Sequence, residues 1–316
     1  MVSLYQANYE KVLRMEQERR LIWPANDQLD AMGELDLHTN KTIWNNALKA
    51  LKTIPLWENG APGYDDRDPD QLPPMLAFLP AQGVTEPRGT ILVSHGGAWI
   101  CRAGHEGFHT ARWFASQGFN TAVLSYRLIP YSRYDCLADI QRAVRVLRSK
   151  KEELGIADRI AVLGFSAGGW LSSVCAVHND FGNPESNDPV EHFSCRPDAM
   201  VLCYGSRAEL AFPGGFGTNP FADPKRKEQF YFDAVNHITP DTPPAFIWQT
   251  ISDDPRHAFQ FAGAMTAAGV PCEVHCFDAG FHGVGLADGN NDGDFRDEHL
   301  MKWTDLAASW LRKYEF

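Results

Sequence analysis

A glycine-framed serine stands between an apolar run and a stretch that is typical of a helix. The pentapeptide Gly-Phe-Ser-Ala-Gly occupies residues 164–168, after the mostly apolar residues 159–163 and before the proline-free residues 169–177. An apolar run of this length is typical of a buried strand. A serine in a tight turn between a strand and a helix is the arrangement of a nucleophile elbow, which exposes the hydroxyl at the top of a sheet. The sequence therefore predicts Ser166 as a nucleophile.

Strand-like and helix-like stretches alternate along the rest of the chain. Further strands are predicted at residues 75–79, 89–94, 120–126, 199–204, 245–251 and 271–277. Helices are predicted at residues 108–117, 137–154 and 256–268, and a last amphipathic helix carries apolar residues from Leu300 to Leu311. Strands that alternate with helices form a mostly parallel sheet covered by helices on both faces. The predicted fold class is therefore α/β.

The first 54 residues differ from the rest in texture. They are rich in Glu, Lys, Arg, Leu and Asn and lack strand-like alternation, so we expect helical segments broken at Pro24 and Gly33. A loop follows from Pro55 to Pro74. The sequence thus predicts a helical N-terminal extension, residues 1–54, and an α/β catalytic domain, residues 55–316. The extension is interpreted as a lid over the site, as an assembly surface of a homo-oligomer, or as packing against the core.

The two groups that a serine nucleophile needs follow it along the chain. A serine hydroxyl requires a base in hydrogen-bond reach, and the base requires an orienting carboxylate. In a fold with a nucleophile elbow, the acid comes next after the serine and the histidine comes last. Asp253 and Asp254 follow one predicted strand, and His282 follows the last one in a glycine-flanked turn. We favour Asp253 over Asp254 as the acid, and expect the other to cap the next helix.

A second turn, His95-Gly96-Gly97, directly follows the predicted strand at residues 89–94. Such a turn supplies backbone N–H groups to an oxyanion hole, together with the residue after the nucleophile. The predicted donors are Gly96, Gly97 and Ala167, with His95 as a structural brace of the turn. The aromatic residues Trp99 and Tyr126 are predicted to line the substrate pocket.

Taken together, these motifs resemble the α/β-hydrolase superfamily, in its acetylesterase and acetyl-xylan-esterase-like branch. The resemblance spans about residues 55–290 and is carried by residues 56–63, 95–99, 124–128, 139–148, 164–168, 243–248 and 280–287. It implies the same triad and oxyanion donors. Two features depart from the branch: Ala98 stands where a third glycine is common, and no Val-Pro pair follows the acid.

The composition limits which kinds of partner, compartment and metal site are expected. A formal net charge of −11 disfavours nucleic acid and anionic membranes. No secretory signal and no apolar run of membrane-spanning length are visible, and the seven cysteines are scattered, so a reducing cytoplasm is expected. The segment Asp288–Gly293 fits half of a calcium-loop pattern, but His299 replaces the glutamate at its twelfth position. We expect neither metal nor cofactor.

The expected reaction is hydrolysis of a short-chain carboxylic ester through an acyl-enzyme. The resemblance implies an acetyl group on a sugar or oligosaccharide. An amidase or aryl-formamidase would use the same triad, so the sequence leaves that alternative open. A non-catalytic binding protein on the same fold is a further alternative, although such proteins usually lose one of the three triad residues.

Overall fold

The computed structural model describes Trp44 and residues 47–65, 71–206, 228, 230–291 and 294–316. Eight strands lie within these residues: β1 (Lys52–Pro55), β2 (Met75–Leu79), β3 (Thr90–Ser94), β4 (Asn120–Ser125), β5 (Ile160–Phe165), β6 (Ala199–Cys203), β7 (Ala245–Thr250) and β8 (Cys272–Phe277). They form one sheet in the order β1-β2-β4-β3-β5-β6-β7-β8. Strand β2 is antiparallel to both of its neighbours, and the other pairings are parallel. The predicted mostly parallel sheet is confirmed.

The described helices follow β3, β4, β5, β7 and β8. They are α1 (Thr110–Ser116), α2 (Arg133–Ser149), α3 (Lys151–Leu154), α4 (Ala167–Val177), α5 (Arg256–Ala267) and α6 (Trp303–Lys313). A π-helical turn, His105–His109, leads into α1, and short 3₁₀ turns lie at Pro189–His192, Ala234–His237, Ile251–Asp253 and Leu300–Lys302. Among these described helices, none is both long enough and apolar enough to cross a bilayer.

Both faces of the sheet are buried, as parallel strands require. On β5, Val162 packs into one apolar cluster with α2, α4 and α5, while its neighbour Leu163 packs into a second cluster with α1 and α6. Both side chains are fully buried. Because the central strands are covered on both sides, their open edge for chemistry is the carboxyl end, where the loops after the strands gather.

The structure differs from the expected element boundaries in three places. Strand β1 crosses the boundary placed between residues 54 and 55, and its Ile54 is buried in the core. Helix α2 begins four residues before the predicted start, because a capping box joins Ser132 and Asp135. The predicted helix at 108–117 begins as α1 at Thr110, after the π-helical turn. Residues 1–43 lie outside the described part, so the predicted extension stays a prediction.

Candidate active site

The turn between β5 and α4 holds Ser166 in a backbone conformation that residues other than glycine rarely adopt. Its φ and ψ are +50° and −120°, a region that costs about 1–3 kcal/mol unless the surroundings enforce it. The surroundings are close: a Cβ atom on Gly164 would lie 2.1 Å from the Gly168 carbonyl oxygen. A Cβ atom on Gly168 would lie 2.3 Å from the carbonyl oxygens of Ser94 and His95. The turn therefore requires glycine at both positions.

Three side chains from three loops form a hydrogen-bonded chain at this turn. The Ser166 hydroxyl oxygen lies 2.7 Å from Nε2 of His282. Nδ1 of the same imidazole is hydrogen-bonded to Oδ2 of Asp253. The serine follows β5, the aspartate lies in the 3₁₀ turn after β7, and the histidine follows β8. The histidine and the aspartate are both partly exposed, and Ser166 is half-buried, so all three residues contact solvent.

The neighbouring acid, Asp254, has a different partner. Its carboxylate accepts hydrogen bonds from Nε and Nη2 of Arg256, at 2.7 and 2.6 Å. The pKa of Asp254 is lowered chiefly by this contact with the guanidinium. Asp254 also accepts from the backbone N–H of Arg256, the first residue of α5, at 3.3 Å. The structure thus places Asp253 against His282, and Asp254 at the start of the helix, as an N-terminal acceptor.

The turn after β3 is tight at Gly97, whose φ is +114°. A Cβ atom there would lie 2.2 Å from the Cys101 carbonyl oxygen, so only glycine fits. The carbonyl of Gly97 accepts from the backbone N–H groups of Ile100 and Cys101. Ala167 is the first residue of α4, and the N–H of a first helical residue has no acceptor inside its own helix. Gly97 and Ala167 therefore keep the positions predicted for oxyanion donors.

Gly96, the third predicted oxyanion donor, is engaged elsewhere. Its N–H donates to Oε2 of Glu106 at 2.7 Å, within the buried interior. A carboxylate acceptor holds an N–H more strongly than a neutral oxygen does. This contact disagrees with the prediction that the Gly96 N–H faces the oxyanion, and leaves Gly97 and Ala167 as the candidate donors.

His95 and Tyr126 stabilise the turn after β3 through a ring stack and hydrogen bonds to its backbone. The buried His95 ring stacks on Tyr126 with centroids 4.4 Å apart, and Nδ1–H of His95 donates to the Gly96 carbonyl at 2.5 Å. Burial lowers the pKa of His95 to about 3, so the ring is neutral near pH 7. The Tyr126 hydroxyl donates to the His95 carbonyl at 2.8 Å, and its side chain is fully buried. Tyr126 is thus a packing residue in this structure and not the predicted pocket wall.

Trp99, the other predicted pocket residue, is 8% exposed. Its ring lies edge-on to Trp170, with centroids 5.9 Å apart. Trp99 stands two residues after Gly97, and Trp170 stands one helical turn after Ser166, with its backbone N–H donating to the Ser166 carbonyl. The two indoles therefore belong to residues that are close in sequence to the oxyanion turn and to the serine.

Two residues near the site have no counterpart in the sequence-based predictions. Glu106 and Tyr204 are buried, and the Tyr204 hydroxyl donates to Oε1 of Glu106 at 2.7 Å. The ring of Tyr204 lies 5.0 Å from that of His282, centroid to centroid. No local motif marks either residue, because their burial depends on contacts with distant segments.

All seven cysteines are free thiols, five of them buried, as the scattered spacing predicts. The described residues include no group of three His, Cys, Asp or Glu side chains arranged to hold a metal ion. Two residues of the polar loop at 288–293, Asp292 and Gly293, lie outside the described part.

Comparisons with known proteins show the family of the chain. The BD-FAE family model matches residues 77–208. The solved structure of an acetyl ester-xyloside bifunctional hydrolase from Caldicellulosiruptor lactoaceticus is 36% identical in sequence, covers 83% of this chain and 96% of that one, and superposes with a TM-score of 0.72. The chain belongs to the α/β-hydrolase superfamily, in its acetylesterase and acetylxylan-esterase-like branch.

This α/β hydrolase also resembles longer proteins. It is 31% identical over 248 residues to endo-1,4-beta-xylanase B of Butyrivibrio fibrisolvens, a match that covers 73% of this chain and 38% of that protein. It is 28% identical over 252 residues to an acetylxylan esterase of Xylanibacter ruminicola, covering 75% of this chain and 48% of the relative. The chain thus spans less than half the length of these two relatives.

Proposed function

We propose that the protein hydrolyses short-chain carboxylic esters, through an acyl-enzyme formed on Ser166. The observation that carries this proposal is the continuous hydrogen-bonded chain from the Ser166 hydroxyl through His282 to Asp253. A serine becomes a competent nucleophile when an imidazole takes its proton and a carboxylate orients and stabilises the resulting imidazolium. The family membership supports the same reaction.

In this mechanism His282 accepts the proton of Ser166 through Nε2 while the serine oxygen attacks the ester carbonyl carbon. The negative charge that develops on the carbonyl oxygen is stabilised by the N–H groups of Gly97 and Ala167. The protonated His282 then donates its proton to the departing alcohol. Water, deprotonated by His282, attacks the acyl-enzyme; the carboxylic acid departs as the protonated His282 returns its proton to the Ser166 oxygen. Asp253 holds the imidazole in the required tautomer throughout.

The acyl group is proposed to be acetyl, and the alcohol a sugar or xylo-oligosaccharide. The named activities of the relatives support this choice, since they include an acetylxylan esterase and an acetyl ester-xyloside hydrolase. The contact between the indoles of Trp99 and Trp170 also supports a short acyl chain, because the two rings belong to the segments of the oxyanion turn and of the serine. We propose that these two rings close the acyl side of the pocket.

The test compares hydrolysis of p-nitrophenyl esters from acetate to octanoate by the wild type and by Ser166→Ala. We expect acetate to give the highest kcat/KM and the variant to lose activity by at least about 10³-fold, since loss of a triad serine costs up to about 10⁶-fold in kcat. Ser173→Ala is a matched control, since its buried hydroxyl on the same helix bonds only locally, to the Trp170 carbonyl. Full activity of Ser166→Ala would refute the proposal.

Two further measurements separate related chemistries. A fluorophosphonate probe should label the wild type at Ser166 and should not label Ser166→Ala. An N-formyl aryl amide included in the same panel distinguishes an ester hydrolase from a formamidase. Faster turnover of that amide than of p-nitrophenyl acetate would overturn the ester assignment while leaving the triad in place.

A further inference from the structure

Glu106 is a buried carboxylate that the proposed mechanism does not use. It lies in the π-helical turn between β3 and α1 and is 2% exposed. A buried carboxylate is unfavourable unless hydrogen-bond donors surround it, so its partners show what the structure gains from it. These partners are the oxyanion turn and Tyr204, and Tyr204 in turn contacts the loop of the triad histidine.

Each oxygen of Glu106 accepts a hydrogen bond from a different loop. Oε2 accepts from the Gly96 N–H at 2.7 Å, in the turn after β3. Oε1 accepts from the Tyr204 hydroxyl at 2.7 Å, in the loop after β6. The same hydroxyl oxygen then accepts from the backbone N–H of Gly285 at 3.0 Å, three residues after the triad histidine. One carboxylate therefore joins three loops at the carboxyl edge of the sheet.

The residue before Glu106 makes a parallel contact. Nε2 of His105 is hydrogen-bonded to the carbonyl oxygen of Gly283, the residue directly after His282. The two neighbouring side chains thus hold the histidine loop at two points, Gly283 directly and Gly285 through Tyr204. Since both start from one short turn, they fix that loop relative to β3 and α1.

Glu106 also sets how closely the oxyanion turn approaches the serine. A Cβ atom on Gly96 would lie 2.4 Å from Oε2 of Glu106 and 2.9 Å from Cβ of Ser166. The carboxylate oxygen and the serine Cβ therefore both lie close to the space that a side chain at Gly96 would occupy, so the turn packs against both residues. Its position follows the carboxylate, and the candidate donor Gly97 follows Gly96 by one peptide.

The tyrosine is suited to its part in this connection. Burial, together with the nearby charge of Glu106, raises the pKa of Tyr204 well above its ordinary value. The hydroxyl therefore stays protonated and donates a hydrogen bond to the carboxylate. Its oxygen accepts a hydrogen bond from the Gly285 N–H. Its ring lies beside the imidazole of His282, at 5.0 Å between centroids.

We propose that Glu106 is a positioning residue that holds the oxyanion turn and, through Tyr204, the loop of His282 in register around Ser166. The inference rests on the proposed function and adds a residue to it. Glu106 acts through Gly96 and Tyr204, the two groups that donate hydrogen bonds to its oxygens. A carboxylate suits this role because both its oxygens accept, and charged acceptors form shorter and stronger hydrogen bonds than neutral ones.

The test uses Glu106→Gln, Tyr204→Phe and the double variant in the full-length protein. Glutamine offers one acceptor and one donor where glutamate offers two acceptors, so it cannot accept from both partners. Phenylalanine keeps the ring and removes the hydroxyl. The matched control is Thr121→Val, which deletes another fully buried hydroxyl hydrogen bond, to the Ala111 carbonyl, on the central part of the sheet.

The readouts are kcat and KM for p-nitrophenyl acetate, the rate of fluorophosphonate labelling, and the melting temperature. Loss of one oxyanion donor lowers kcat by about 10²–10³-fold, and a displaced donor should cost less, so we expect about a 10–100-fold lower kcat for Glu106→Gln. Tyr204→Phe should lose about 10-fold, with KM within about twofold for both, as expected when only transition-state contacts change. The double variant should match Glu106→Gln alone, because both residues belong to one hydrogen-bonded connection that the glutamine already breaks.

A purely structural role predicts a different result. In that case Glu106→Gln and Tyr204→Phe would melt earlier, as Thr121→Val should, but would keep kcat and the labelling rate within twofold of the wild type. That outcome would overturn the proposal, and Tyr204→Phe alone decides the question if the glutamine variant fails to fold. Failure of the proposed function is seen separately, as a wild type that neither hydrolyses the ester nor reacts with the probe.

Discussion

Adjacent carboxylates with different partners provide a matched pair of substitutions at the site. Asp253 is hydrogen-bonded to Nδ1 of His282, whereas Asp254 pairs with Arg256 at the start of α5. Asn is nearly the same size as Asp, so Asp253→Asn and Asp254→Asn both change charge with little change in shape. We expect the first exchange to abolish most of the activity and the second to leave it nearly intact.

The magnitude for Asp253→Asn follows from the tautomer of the imidazole. With an amide NH₂ facing Nδ1, the ring is favoured with its proton on Nε2, and that nitrogen then cannot accept the proton of Ser166. In serine-protease triads the equivalent exchange lowers kcat about 10⁴-fold. Since the His282–Asp253 pair is partly exposed and water can replace part of the contact, we expect about 10³–10⁴-fold. This loss corresponds to about 4–5.4 kcal/mol in the activation free energy.

The magnitude for Asp254→Asn follows from exposure. The side chain of Asp254 is 38% exposed and that of Arg256 is 67% exposed. Exposed ion pairs contribute about 0–1 kcal/mol to the free energy of unfolding. Asp254 also has a positive φ of 42°, a conformation that Asn tolerates well. The variant should therefore fold, melt within a few degrees of the wild type and keep kcat within about twofold.

The assay is the initial rate of p-nitrophenyl acetate hydrolysis at saturating substrate, with thermal melting of each variant. Asp253→Asn should lose kcat at a nearly unchanged melting temperature. If Asp253→Asn keeps more than a tenth of the wild-type kcat, the assignment of the triad acid is wrong. Equal losses in the two variants would contradict the reasoning as well, because they would point to the shared negative charge and not to the contact with His282.

Two further predictions concern the turn after β3. Burial holds the pKa of His95 near 3, below the 6.5 of an unfolded histidine, so the unfolded state binds the extra proton and stability is lost as the pH falls below about 6.5. The free energy of unfolding should thus fall with decreasing pH more steeply in the wild type than in His95→Asn. Between pH 6 and 4 the two slopes should differ by about 1.4 kcal/mol per pH unit. Denaturant titrations measure both slopes, and parallel curves would contradict this prediction. Trp99→Ala should shift the ratio of butyrate to acetate kcat/KM toward butyrate by about tenfold, since one or two methylenes in an apolar pocket are worth about that much. An unchanged ratio would show that Trp99 does not bound the acyl chain.

Most of the sheet is predictable from the sequence because each central strand is an apolar run between clear turn residues. Strand β1 is the exception: of Lys-Thr-Ile-Pro, only Ile54 is buried, so no periodic pattern marks the strand. It exists because its backbone pairs with β2 at the edge of the sheet. The start of α2 had a readable signal in Ser132 and Asp135, whose spacing is that of a capping box.

The site was predictable to the extent that its chemistry is local. The glycines around Ser166, and the position of His282 after the last strand, are visible as motifs. The choice between Asp253 and Asp254 depends on which side chain reaches the imidazole, and a difference of one residue in a 3₁₀ turn decides that. The sequence alone does not show which of the two adjacent aspartates reaches the imidazole.

The roles of Gly96, Tyr126 and Glu106 are tertiary and could not be predicted from local patterns. Glu106 reads as an ordinary polar residue between two glycines and two histidines. Only the folded chain shows that its carboxylate captures the Gly96 N–H and removes it from the oxyanion site. Likewise, Tyr126 looks like a pocket residue in sequence, and only its complete burial under the His95 turn shows otherwise.

Because β8 lies at the end of the sheet, the stability of the active site differs from the stability of the fold. Within the described residues this strand pairs with β7 alone, and most of its side chains are partly exposed, whereas the serine turn follows an interior strand. Edge elements with few buried contacts open at lower free energy than the core does. Detachment of this one strand would move His282 away from Ser166. The rest of the sheet would stay folded, but the serine would lack its base. We therefore expect activity to depend on the pairing of the last strand, and to be lost on warming before the fold is lost.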